Sequence, residues 1–232
     1  DIFPEIRLST IGPSRSELSK HNTSRPSTAP YGRNIFLLPL QADRKPWNRP
    51  GNAGIQKTEG INGRSTMRIQ TSRLTICDLS TTDWMGMKRI FLDFNSSPYA
   101  VYDRPLPVKD EEVKALTKQF ADSKLFFAVY LSDQMIGYVG FHKAGDAYDL
   151  GYCFHSSYQG NGYAFESVKA LIDYFRKEYH VTKFTAGTAL ENKPSCNLLR
   201  KLGFLCHSTE TVCFDGNFSF TGGNFELFHK VI

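Results

Sequence analysis

Tyr158-Gln159-Gly160-Asn161-Gly162-Tyr163-Ala164 is the stretch on which the reading of this chain turns. An apolar run, Leu150-Gly151-Tyr152-Cys153-Phe154, precedes it. After it, Phe165, Val168, Leu171, Ile172 and Phe175 fall on one helical stripe. The order is therefore strand, glycine turn, helix. Glycines let main-chain N–H groups come close to a ligand, and a helix start adds its positive dipole end. Such a turn suits a diphosphate, so a nucleotide-type cofactor is the first expectation. Two common nucleotide motifs do not fit. No Lys-Ser/Thr follows the last glycine, as a P-loop requires, and Gly160-Asn161-Gly162-Tyr163-Ala164-Phe165 is no dinucleotide fingerprint.

Outward from this turn the chain has the punctuation of a folded α/β domain. Leu74–Leu79 reads as a strand. Thr82-Asp83 is expected to cap a helix running through Trp84, Met87, Ile90, Phe91 and Phe94. A second helix fits Asp110 to Asp122, with Asp110, Glu111 and Glu112 at its positive end. Leu125–Leu131, Met135–His142 and Ala147–Phe154 follow as an antiparallel meander, separated by Ser132-Asp133-Gln134 and Ala144-Gly145-Asp146. Ala164–Tyr179 is helical, Lys183–Leu190 is another strand, and Asn192–Leu202 is a helix closed by Gly203. Two β-type runs lie around Asp215-Gly216-Asn217 and Gly222-Gly223. The aromatic residues there (Phe214, Phe218, Phe220, Phe225, Phe228) read as core and sheet surface rather than a ligand cage.

Composition divides the 232 residues in two. Residues 1–66 hold seven of the eleven prolines, ten Lys/Arg and five Asp/Glu, so the net charge of +5 resides there. Only Ile35-Phe36-Leu37-Leu38 is apolar, and such a segment buries too little surface to offset its ordering entropy. It is expected to be a basic, Pro/Ser-rich disordered extension. Met67-Arg68-Ile69-Gln70 reads as a natural beginning, with the folded domain spanning 67–232. That domain carries equal numbers of positive and negative side chains, which argues against nucleic acid as a partner; the basic residues of the extension are unclustered. No apolar run approaches the ~20 residues that cross a bilayer, so no membrane role is expected. Cys77, Cys153, Cys196, Cys206 and Cys213 form an odd set without a C-x-x-C pair. This pattern favours reduced thiols in a cytoplasmic setting and no metal site. Monomer and homodimer both stay open.

At this point the motifs resemble those of the GNAT acetyltransferase superfamily. Tyr158–Ala164 is similar to its Q/R-x-x-G-x-G/A cofactor motif. Glu191-Asn192-Lys193-Pro194-Ser195-Cys196-Asn197-Leu198-Leu199-Arg200-Lys201-Leu202-Gly203-Phe204 matches its E-N-x-x-S-x-x-L-L-x-K-L-G-F block. Asp149-Leu150-Gly151-Tyr152 resembles the E-I-G-Y strand of the subgroup that acetylates ribosomal-protein N-termini (RimJ/RimL-type). The resemblance covers about residues 67–230. It implies an α/β (α+β) fold with a mixed, mostly antiparallel, splayed sheet of six to seven strands flanked by helices. It also implies direct acetyl transfer from acetyl-CoA to a primary amine, either a protein N-terminus or a small molecule, with no metal.

The resemblance also assigns residues. Pantetheine would pair with the strand backbone from Tyr152 to His155, including Cys153, and the amide of Phe154 would face the thioester carbonyl. Gln159, Gly160, Asn161, Gly162, Tyr163 and Ala164 would wrap the diphosphate, and Asn192 would touch the pantetheine arm. Asp149 is the candidate base, acting through water; an exposed carboxylate paired with a neighbouring cation is the competing reading. Ser195 is the candidate proton donor to the departing thiolate, because Leu199 stands where many members carry a tyrosine acid. A helix cap is its competing role. His155 adjoins the thioester position and is either titratable there or structural. Cys153 lacks an activating partner, and direct transfer needs no thiol nucleophile. The missing tyrosine keeps a second reading open, a non-catalytic CoA-binding regulatory module. The acceptor is expected to enter opposite the cofactor, near Asp103 and Arg104.

Overall fold

Alternating and helical periodicities resolve into a three-layer arrangement in a computed structural model that describes residues 58–59, 65–214 and 218–228. Most of the proposed extension, residues 1–57 and 60–64, lies outside the described residues, as does the turn at Asp215-Gly216-Asn217. Two short strands, β1 (Thr58–Glu59) and β2 (Ser65–Thr66), pair with each other. The main sheet contains β3 (Arg68–Gln70), β4 (Thr75–Asp78), β5 (Phe126–Leu131), β6 (Gln134–Ala144), β7 (Ala147–Phe154), β8 (Lys183–Ala189), β9 (Leu205–Phe214) and β10 (Phe218–Phe228). Its order is β3-β4-β5-β6-β7-β8-β10-β9, and every pair is antiparallel except β7 with β8. Among the described residues four α-helices complete the fold: α1 (Trp84–Asn95), α2 (Asp110–Ser123), α3 (Tyr163–Tyr179) and α4 (Lys193–Lys201). The sheet has eight strands rather than six or seven.

Each sheet face is buried by its own pair of helices. On one face Met87, Ile90 and Phe91 of α1 and Val113 and Phe120 of α2 pack on Ala128, Met135, Tyr138 and Cys153. On the other, Val168, Leu171, Ile172 and Phe175 of α3 and Cys196 and Leu199 of α4 cover Phe127, Phe141, Leu150 and Phe184. Central β6 is buried from Met135 through Phe141, as a strand covered on both faces must be. Phe175 is 1% exposed, and its ring lies 4.4 Å from that of Phe141, 5.3 Å from Tyr148 and 5.9 Å from Phe127. Phe175→Ala is expected to cost about 3–5 kcal/mol in chemical denaturation; a loss below ~1 kcal/mol would contradict this packing.

The entry to α1 differs from expectation. Asp83 occupies the N-cap position of α1 but makes no side-chain cap bond there; the residue whose side chain caps the entry is Ser80. Its Oγ accepts from Thr82 N (3.3 Å) while Asp83 Oδ2 accepts from Ser80 N (2.7 Å), closing a capping box around a short 3-10 turn. Asp83 is the fourth residue of that box, so its carboxylate faces backwards.

Candidate active site

β7 and β8 run parallel but pair only at Tyr148↔Phe184 and Asp149↔Thr185. Beyond that point β7 stays registered on β6 as far as Phe154, and β8 follows β10 in the same way as far as Ala189. The two halves of the sheet therefore part, leaving a fork with Asp149 at its apex. Antiparallel alternation fixes which β7 groups face the gap. His155 N donates to Ile136 O (3.0 Å), so Cys153 and Tyr138 form a mutually bonded pair. The N–H and C=O groups of Leu150, Tyr152 and Phe154 then turn away from β6 and toward the opening. Cys153 was expected beside the cofactor through its backbone. Its main chain instead faces β6 and its side chain lies in the α1/α2 core, where burial pushes the thiol up to about 12.

The glycine turn sits at the mouth of the fork. A short 3-10 segment, Ser156–Tyr158, leads into it, held to α1 because Asp93 accepts from Ser156 N (2.7 Å) and Ser156 Oγ (2.5 Å). His155 lies 3.7 Å from the same carboxylate and accepts from Ser157 N, a structural position. Gln159 donates from Nε2 to Phe154 O (3.0 Å), while its own N–H bonds Ser156 O. It therefore shapes the turn rather than offering a free amide. Asn161 Nδ2 bonds Gln159 O (3.0 Å). Gly160 (φ +77°) and Gly162 (φ +78°) are left-handed, a conformation that glycine takes without penalty. Gly162 begins α3 with no side-chain cap, leaving the first-turn N–H groups directed outward from an exposed turn.

Acid and base candidates flank the gap from opposite faces. Asp149 projects toward the α1/α2 side, as Cys153 does, and Oδ1 accepts from Thr185 Oγ1 (2.8 Å). Its partner is a hydroxyl, not the cation that a surface strand pair would supply. Burial pushes its carboxyl up to about 6, and the Thr185 bond offsets only part of that. On the α3/α4 side, Tyr152 Oη lies 2.9 Å from Ser195 Oγ. Asn192 Oδ1 accepts from Ser195 N (3.2 Å) and caps α4. Asn192 thus performs the capping, and the serine hydroxyl is engaged elsewhere. Burial pushes the Tyr152 phenol up to about 12 despite the Ser195 bond, so it stays protonated.

Sequence reasoning did not single out the Tyr152 hydroxyl. It also missed a cluster around Glu166 in the first turn of α3. Glu166 Oε1 accepts from Thr71 Oγ1 (2.6 Å), Ser72 Oγ (3.1 Å) and Arg73 N (3.1 Å), and Oε2 meets Arg73 Nε at 2.8 Å. In the α1–α2 connection, Asp103 takes a hydrogen bond from Arg104 N (2.7 Å), and burial pushes its carboxyl up to about 6. The neighbouring Tyr102 ring meets Phe220 edge-on at 5.3 Å and Phe218 at 6.3 Å, tying the α1–α2 connection to β10. Arg104 is exposed.

The mixed sheet, splayed where β7 and β8 part, is the fold that the resemblance implied, and the comparisons agree. The chain belongs to the GNAT acetyltransferase family: residues 73–205 match the family described as "Acetyltransferase (GNAT) domain". It is 32% identical over 143 residues to the uncharacterized N-acetyltransferase YnaD of Bacillus subtilis (strain 168), spanning 59% of this chain and 82% of that one. A GNAT-family acetyltransferase from Bacillus anthracis superposes with a TM-score of 0.63 at 24% identity, covering 70% of this chain and 98% of that chain. RimL, a ribosomal alpha-N-protein acetyltransferase in complex with coenzyme A, gives 0.64 at 15% identity, with 71% and 99% covered. Both likenesses establish the shared fold. The enzyme is an N-acetyltransferase with acetyl-CoA as co-substrate. Among the described residues no helix is long and apolar enough to cross a membrane.

Proposed function

We propose that the enzyme transfers the acetyl group directly to a primary amine, a protein N-terminus foremost and a small amine second. One observation carries this reading: a carboxylate and a hydroxyl pair stand on opposite faces of the same gap in the sheet. Direct displacement needs that layout, a base where the amine arrives and a donor where the thiolate leaves.

Acetyl-CoA supplies an acyl carbon already activated as a thioester. Outward N–H groups from Gly160 to Ala164 hold the diphosphate, with Gln159 bracing the turn against Phe154 O. Phe154 and Tyr152 offer gap-facing main-chain groups to pantetheine, and Asn192 lies at the start of α4 alongside it. Strand rise refines the placement of the oxyanion donor. Phe154 is five residues from Asp149, about 17 Å along an extended strand, whereas Tyr152 is about 10 Å away. The Tyr152 amide therefore suits the oxyanion better than that of Phe154, and Asp149 reaches the amine through one or two waters.

Nitrogen bonds to the acyl carbon, and the C–S bond breaks with its electron pair passing to sulfur. Asp149 takes the ammonium proton by way of water. The Tyr152 Oη–Ser195 Oγ bond can run in either direction; as sulfur departs, Ser195 gives it a proton while Oγ takes the phenol's proton, and Tyr152 is reprotonated from solvent. A terminal amine with a pKa near ~8 is partly neutral already, so a modest base suffices.

Thiol release from acetyl-CoA with a panel of peptides and small amines tests the proposal. Turnover with peptide N-termini is the expected result; acetyl-CoA binding without turnover on any amine would favour the regulatory-module reading. Ser195→Ala is expected to cost roughly tenfold or more in kcat with a melting temperature close to wild type, because Asn192 retains the cap. Tyr152→Phe should lower kcat less. A stability loss of ~1 kcal/mol without a kinetic defect would return Ser195 to a structural role.

A further inference from the structure

An acidic residue in the first turn of a helix competes with any anion meant for that helix's N-terminus. Glu166 occupies that position in α3, one turn from the diphosphate site proposed above. Left free, its charge would repel the phosphates, or its carboxylate would fold back onto the open N–H groups. The structure shows Glu166 turned away and fully engaged by the Thr71-Ser72-Arg73 turn between β3 and β4. Oε1 takes the hydrogen bonds of Thr71, Ser72 and the Arg73 amide, and Oε2 lies 2.7 Å from Arg73 Nη2 and 2.8 Å from Nε.

The same guanidinium reaches the glycine turn. Arg73 Nη1 donates to Asn161 O (3.0 Å). Its Cζ stands 4.6 Å from the Tyr163 ring centre, and Nη2 is 3.6 Å from where a Gly162 Cβ would be. One side chain thus neutralises Glu166, fixes the carbonyl between the two left-handed glycines and stacks on the first residue of the helix. Burial alone would raise the Glu166 carboxyl, but the bonds from Thr71, Arg73 and Ser72 outweigh it and hold it below the usual range.

We infer that Arg73 is a positioning residue for the cofactor diphosphate: paired with Glu166 and Asn161 O, it keeps the acidic first turn of α3 compatible with an anion and the glycine turn open. This rests on the diphosphate being held at residues 160–164.

Calorimetric titration with coenzyme A, and with pantetheine, which lacks the diphosphate, tests it on the full chain. Arg73→Ala should weaken coenzyme A binding at least tenfold and pantetheine binding less than twofold. Arg73→Ala/Glu166→Gln, which removes the opposing charge as well, should recover most of the lost affinity. Arg73→Lys, keeping the charge but not the fork to Asn161 O, should fall between. Equal losses for both ligands, or a double variant as weak as Arg73→Ala, would overturn the inference. Unchanged coenzyme A affinity in Arg73→Ala would also overturn it. If Gly162→Val then still weakens binding, the latch alone is wrong; if neither substitution matters, the diphosphate lies elsewhere. Melting temperatures of each variant separate these outcomes from misfolding.

Discussion

Asp149→Asn is expected to lower kcat/KM at least a hundredfold at neutral pH while leaving coenzyme A affinity within twofold of wild type. The amide matches the carboxylate in shape and still accepts from Thr185, so the fork keeps its geometry and loses only its base. The pH dependence gives the sharper signature. Burial raises the folded-state pKa from 3.8 to about 6, so the ionised, competent form accumulates as pH rises through that value. The wild-type profile should show an acid limb near pH 6 that the variant lacks. Stability moves in the opposite sense. The neutral carboxyl is preferred in the folded state, so this group's stabilising contribution is full below pH ~4 and is lost as pH rises through about 6. Asp149→Asn should flatten that slope. Wild-type kinetics across the range would remove Asp149 as the base.

Gly162→Val is the second large effect. Its cause is conformational rather than steric, because the nearest atom to a Cβ at position 162 would be Arg73 Nη2 at 3.6 Å. At φ +78° a β-branched residue is strained by about 1–3 kcal/mol, and relief moves the N–H groups that begin α3. Coenzyme A binding should weaken tenfold or more, with Gly162→Ala intermediate. An affinity within twofold of wild type would discredit the turn as the diphosphate site.

Much of this was legible because local signals agreed. Ala147–Phe154 reads as a strand with the bounds the structure gives, the run Lys183–Leu190 ends one residue earlier at Ala189, and four of the five α3 stripe residues (Val168, Leu171, Ile172 and Phe175) are core. The strand Arg68–Gln70 was not legible, since only Ile69 among its three residues is even partly buried. Asp149 was visible as a carboxylate on a strand, but its environment was not. The Thr185 partner lies 36 residues away, and the elevated pKa comes from the burial that folding creates. Tyr152 with Ser195 and Arg73 with Glu166 are separated by 43 and 93 residues. No periodicity encodes such pairs; they exist because β7 and β8 diverge and the β3–β4 turn folds over the start of α3.

A crystal structure of the enzyme with acetyl-CoA bound tests the central claim most directly. The diphosphate should accept hydrogen bonds from main-chain N–H groups between Gly160 and Ala164, with the pantetheine arm lying between β7 and β8 and the sulfur near Ser195 Oγ. A nucleotide bound away from the α3 N-terminus, or a thioester outside the fork, would contradict the account.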